Sequence, residues 1–173
     1  MDNAVLKALC ERRSIKKYKP ELITKDELDA VLAAATYAPN GMGKQSPVMV
    51  VVQEKALRDK LSRMNAEIMN VSSDPFYGAP TVVVVFGNPD IPTWLEDASL
   101  TAGNLLNAAH AVGIGGCWIH RARQMFESPE GRQLMRQWGI PENMVGVANC
   151  ILGYPDGDPK PRASRKDDYI VYA

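Results

Sequence analysis

The sequence predicts an α/β or α+β fold built on one central sheet. Residues 81–87, TVVVVFG, are apolar after the first position, which marks a strand covered on both faces. Short strand runs of this kind interleave with segments whose apolar residues recur at helical spacing. No linker, internal repeat or low-complexity tract divides the 173 residues, so one domain spanning 1–173 is expected.

The elements follow in order. Val5, Leu6 and Leu9 form a short helical stripe within 3–12. The basic stretch RRSIKKYKP follows and ends at Pro20. Thr24 and Glu27 have capping-box spacing and open a helix through Leu28, Val31, Leu32 and Ala35, which stops before Pro39. PNGMGKQSP is a loop, because glycine and proline interrupt both periodicities. Val48–Val52 is expected to be a buried strand. Leu57, Leu61, Met64 and Ile68 give 54–69 an amphipathic helical pattern, and VSSDPFYGAP is a second loop. After the TVVVVFG strand, the longest helix covers 93–112, with Leu95, Ala98, Ala102, Leu105, Ala109 and Val112 on one face. Gly113 ends it as a C-cap, and CWIH is a third strand with Trp118 in the core. Pro129–Trp138 reads as a short helix ended by Gly139. MVGVANCILGY is a fourth strand in which Gly146 and Gly153 mark bends or the close approach of another backbone. A tail rich in Pro, Asp and Lys follows, and IVYA is expected to close the chain as an edge strand.

Composition narrows the function. Lys+Arg and Asp+Glu are both 20, and a net charge of zero argues against a general nucleic-acid binder. No apolar run approaches the roughly 20 residues that span a bilayer, and MDNAVLKALCERRS lacks the apolar core of a secretion signal, so a cytoplasmic location is expected. Cys10, Cys117 and Cys150 are too scattered for a disulfide framework or a CxxC zinc site, and two histidines argue against a His-rich metal site.

Four segments carry the chemistry. Arg12, Arg13, Ser14 and Lys16 combine cations with a hydroxyl, the mixture that holds a phosphate monoester; the same cluster also reads as a solvated basic helix end. Pro39, Asn40, Gly41 and Gln45 belong to a loop whose glycines admit a flat ligand, though alone it also reads as a surface turn. It lacks Walker spacing, and no GxGxxG follows a strand. In GIGGCWIHR, His120 and Arg121 are the candidate polar residues at the strand end and Cys117 reads as structural, as does His110 on the preceding helix. Lys160, Arg162, Arg165 and Lys166 form a second basic cluster, and the two clusters are candidates to converge on one phosphate.

The ordered set of these segments resembles the nitroreductase family, whose members bind FMN. ERRSIKKYKP is similar to the family's Arg-Arg/His-Ser-x-Arg/Lys opening, TYAPNGMGKQSP to its Ala-Pro-Ser/Thr…Gln-Pro segment, GIGGCWIH to its Gly-rich turn into a central strand, and VANCILGYPDG with the basic tail to its final strand and arm. The likeness runs from about residue 8 to the end and matches the short form of the family. Gly43 stands where the family often has Asn, and Ser46-Pro47 where it has Pro-Trp. The tail aligns through either KPR at 160–162 or SRK at 164–166.

The resemblance implies an α+β fold with a central, mostly antiparallel sheet flanked by helices, and an intertwined homodimer with two FMN sites. It implies that Arg12, Arg13, Ser14 and Lys16 bind the FMN phosphate, ribityl chain and ring edge, with Lys16 beside N1/C2. Pro39, Asn40, Gly41 and Gln45 would reach the flavin from the other subunit. Ile119 and His120 would lie near its N5 or dimethylbenzene side, and Arg162 or Arg165 would complete the phosphate clamp. Asn65 is a candidate for the pyrimidine ring, and Met42, Phe76 and Tyr77 either flank the flavin or pack locally. The implied activity is ping-pong hydride transfer from NAD(P)H through FMN to a nitroaromatic, quinone or similar small acceptor, with no side chain needed as acid or base. A flavin-binding sensor or storage module, and a non-flavin phospholigand-binding domain, are the rival readings.

Overall fold

β1 (Val48–Val52), β2 (Thr81–Gly87), β3 (Gly115–Ile119) and β4 (Val145–Gly153) form one sheet in the order β1-β2-β4-β3. All neighbouring strands are antiparallel. This computed structural model describes residues 3–159 and 161–173.

The central position of β2 follows from its composition. Valines suit a pleated surface, and a strand paired on both sides needs apolar residues on both faces. Val82, Val84 and Phe86 point into one layer, with Leu61 and Met64 of α3 (Lys55–Met69), Met125 and Phe126 of α5 (Ala122–Glu127) and Leu134 of α6 (Pro129–Gln137). Val83 and Val85 point into the other, with Val31 and Ala35 of α2 (Lys25–Thr36) and Ala98, Ala102 and Leu105 of α4 (Trp94–Ala111). Helices thus cover both faces of a four-stranded antiparallel sheet, the α+β arrangement expected. The ladder slips at Val85/Phe86, where Ala148 and then Gly146 pair. A Cβ on Gly146 would stand 2.6 Å from the Ala122 carbonyl oxygen, so glycine here permits the close backbone approach that the sequence signals.

Other expectations hold in detail. Thr24 and Glu27 form both halves of the capping box of α2. Gly113, at φ +80°, follows the end of α4, and its N–H donates to the His110 carbonyl at 3.1 Å. Four expectations need correction. β1 is an edge strand, and only Val52 in it is buried, because β2 is its sole partner. Leu95 and Val112 stand 48% and 44% exposed at the two ends of α4, where no other layer reaches them. IVYA forms no strand, pairing with none of the four strands, and Ile170, Val171 and Tyr172 are exposed. Trp118 is only partly buried, packed against the α2–α4 layer. The helix α5 gives no periodic signal because it has only 6 residues. Among the described residues no helix is long and apolar enough to cross a membrane.

The first helix, α1 (Ala4–Glu11), buries none of its residues. The chain after it runs beside the free edge of β3. Ser14 bridges Gly116 in parallel, and the Ile15 N–H donates to the Gly116 carbonyl at 3.1 Å. A Cβ on Gly115 would meet Ile15 at 3.0 Å, so that glycine lets the segment lie close. Tyr18 then bridges Pro155, just beyond β4.

Candidate functional site

The β3 edge brings the two basic clusters together. Arg12 caps α1, and Arg12–Lys17 form one wall of a cavity of about 1150 Å³. Asp156–Pro159 and Arg162–Arg165 form the other wall. The walls are tied by backbone and side chain. The Asp156 N–H donates to the Lys17 carbonyl at 3.1 Å, and Lys17 Nζ lies 2.6 Å from the Asp156 carboxylate. Arg13 Nη2 donates to the Pro161 carbonyl at 3.3 Å, across the cavity. Six cations and two carboxylates line the space, and among the described residues only Lys17 forms an ion pair there. An open concavity of this kind in a chain of zero net charge selects an anion. The guanidinium forks favour phosphate or carboxylate oxygens, which accept two parallel N–H donors.

The other candidates stand elsewhere. Asn40 spends its side chain on its own loop: Oδ1 accepts from the Gln45 N–H at 2.8 Å and Nδ2 donates to the Ala38 carbonyl at 3.3 Å. The Gly41 N–H donates to the buried Asp97 carboxylate at 2.9 Å, and a Cβ there would meet Thr93 Oγ1 at 2.1 Å. Met42, Gly43 and Gln45 have φ of 54°, 63° and 49°, so the loop stores backbone strain at two non-glycine positions. Pro39 and Gln45 are exposed, and none of Pro39, Asn40, Gly41 or Gln45 lines the cavity of its own chain.

Ile119 is buried and His120 is exposed at the corner after β3, outside the cavity. Asn65 is fully buried, and its Nδ2 donates to the His120 carbonyl at 2.8 Å. It therefore holds the β3–α5 corner and presents no polar atom to the cavity. Asn149 of β4, which sequence reasoning missed, also directs Nδ2 at that carbonyl, at 3.5 Å. A lone polar residue inside the apolar run VANCIL was the available signal. The contribution of Asp156 and Asp158 was also missed, because carboxylates in a turn look like solvated ends.

Phe76 is wholly buried, Met42 is exposed, and Tyr77 is 39% exposed with its ring centroid 5.4 Å from Lys16 Nζ. Arg162 and Arg165 both line the cavity, and Arg165 Nη2 donates to the Ala163 carbonyl at 3.2 Å; Lys160 lies outside the described residues. Burial pushes the Cys117 thiol up and the Cys150 thiol up to about 12, so both are inert packing groups. Among the described residues no group of three His, Cys, Asp or Glu side chains is placed to hold a metal.

Comparison with known proteins agrees with this architecture. The model of the nitroreductase family matches residues 9–154. A protein of Archaeoglobus fulgidus, provisionally named NADH dehydrogenase/NAD(P)H nitroreductase, is 30% identical over 87% of this chain and 84% of its own. One of Methanothermobacter thermautotrophicus with the same provisional name is 27% identical over 91% of this chain and 81% of its own. The crystal structure of a nitroreductase with bound FMN from Bacteroides fragilis superimposes with a TM-score of 0.91 at 27% identity, over 99% of this chain and all of that one. The family model covers the basic opening, the strained loop and all four strands, and the chain belongs to the nitroreductase family.

Proposed function

We propose that this protein is an FMN-dependent NAD(P)H oxidoreductase that reduces nitroaromatics, quinones or similar small acceptors, and that it works as a homodimer. The observation that carries the reading is the convergence of Arg12, Arg13, Lys16, Arg162 and Arg165 on one cavity. Its volume admits a ligand of mononucleotide size, and its donors fit a phosphate monoester. The FMN bound in the Bacteroides fragilis neighbour supports the choice of ligand.

Arg12 and Arg13, with Arg162 or Arg165, hold the phosphate through charge-assisted hydrogen bonds. Ser14 offers a hydroxyl to the ribityl chain. Lys16 would place a cation at the edge of a bound flavin ring, where it would favour an anionic form of the cofactor. FMN supplies hydride chemistry between nicotinamide and acceptor, and the protein supplies binding, orientation and field. The loop holding Pro39, Asn40, Gly41 and Gln45 serves the partner's site, in keeping with its absence from the lining of its own chain's cavity. Val5, Leu6 and Leu9 on α1, and Ile170, Val171 and Tyr172 in the tail, are exposed apolar residues that a second copy would cover.

The test starts with the visible spectrum of the purified protein and chromatography of the heat-released cofactor. FMN is expected, and FAD or no flavin after reconstitution would overturn the reading. NAD(P)H oxidation that depends on an added nitroaromatic or quinone separates an enzyme from a storage or sensor module. Sedimentation should report a dimer, and a stable monomer that keeps FMN would contradict the proposed assembly.

A further inference from the structure

A turn outside the cavity wall is built to present one aromatic ring to Lys16. Asp74 gathers four donors: Arg58 Nη2 at 2.6 Å, the Phe76 N–H at 2.8 Å, the Gly78 N–H at 2.7 Å and the Ser62 hydroxyl. Arg58 is buried and also donates from Nε to the Ala79 carbonyl at 2.8 Å. Phe76 is wholly buried, so the turn is fixed on both sides of Tyr77. Tyr77 itself takes φ +53°, a left-handed conformation that costs a bulky side chain free energy. That strain is held in place by the Asp74 cluster, and the ring it orients lies 5.4 Å from Lys16 Nζ. Among the described residues Lys16 has no carboxylate partner, so the ring is its ordering contact.

We propose that Tyr77 is a positioning residue: its ring face holds the Lys16 ammonium at the edge of the ligand. The inference rests on the proposed FMN site. A lysine loses much rotamer freedom when it is fixed, and a ring that restricts it beforehand lowers that cost on binding. A ring face also leaves the ammonium its charge, whereas a carboxylate would neutralise it toward an anion.

The test measures FMN dissociation constant and flavin midpoint potential for wild type, Tyr77→Phe, Tyr77→Leu, Lys16→Ala and the Tyr77→Leu/Lys16→Ala pair. Tyr77→Leu should weaken FMN by about two- to fivefold, the size of a partly exposed cation–π contact, and lower the potential. Tyr77→Phe should keep both near wild type, and Tyr77→Leu should add nothing once Lys16 is alanine. Tyr77→Gly relieves the backbone strain and provides a second variant should leucine fail to fold; it should weaken FMN while refolding normally. Unchanged FMN binding in Tyr77→Leu, or in Tyr77→Gly where leucine does not fold, overturns the proposal. So does a phenylalanine variant as defective as leucine, or an equal loss in the Lys16→Ala background. A wild-type protein that binds no FMN removes the proposed function and this inference with it, whereas FMN binding indifferent to Tyr77 removes the inference alone.

Discussion

Strand β2 and the tail after Pro155 lie at opposite extremes of the molecule. Every residue of β2 is buried, and the strand pairs with β1 on one side and β4 on the other, while residues 161–173 are all exposed. Both contain large apolar side chains. In β2 two helical layers of the same chain cover them, whereas Ile170, Val171 and Tyr172 find no cover in their own chain. Yet the tail carries Arg162 and Arg165, two of the six cations that line the cavity. Burial of apolar area within one chain defines the interior. The site is defined by charge and stands in part on a segment that no layer of its own chain covers. Stability and ligand affinity should therefore respond to different substitutions.

The largest effect should come from the interior. Phe86 is fully buried and meets the Phe126 ring edge-on, with centroids 4.8 Å apart. Phe86→Ala should cost about 3–5 kcal/mol of unfolding free energy, the usual toll of such a cavity, seen as a lower urea midpoint. A drop of much less would mean that the layer around α5 and α6 collapses into the space. At the rim the order reverses. Arg12→Ala removes a charge-assisted contact worth roughly 1.5–3 kcal/mol, so FMN affinity should fall about tenfold to a hundredfold by fluorescence titration. The urea midpoint of its apo form should stay at the wild-type value. A shifted midpoint with unchanged affinity would make Arg12 a structural cap of α1 and erase the contrast between the regions.

The same contrast explains what could be read from sequence. β1 and β2 were legible to the residue, because a run of valines between turn signals has one reading. That β1 is an edge was not legible, since pairing order depends on contacts far apart in the chain. IVYA looks like a strand by composition, but a strand needs a sheet edge, and β3 already has residues 14–15 along its own. Both basic clusters were visible as charge, and their convergence was open only as a possibility. It required the Ser14–Gly116 and Tyr18–Pro155 bridges, which single glycines and one proline hardly announce. Asn65 was legible as a polar residue on an amphipathic helix, but its bond from Nδ2 to the His120 carbonyl joins residues too far apart in the chain to be read there.

The smallest expected effect lies between the two regions, at the turn that carries Tyr77. Burial opposes the charge on Asp74, but hydrogen bonds from Ser62, Arg58 and the Gly78 and Phe76 amides outweigh it and hold the carboxyl below its usual range. A carboxylate whose pKa is lower folded than unfolded adds stability above the unfolded value, near 4, and loses it as pH falls through the folded value. Asp74→Asn should thus destabilise the protein at neutral pH, and the gap to wild type should close as the solution is acidified below about pH 4. Asp74 is partly exposed, so water screens the ion pair with Arg58 and keeps the effect modest. Thermal unfolding of both proteins across an acid series reads this directly. A gap that stays constant down to pH 2 would assign the loss to the geometry of the turn rather than to the charge, and would place Asp74 with the interior residues instead of the electrostatic rim.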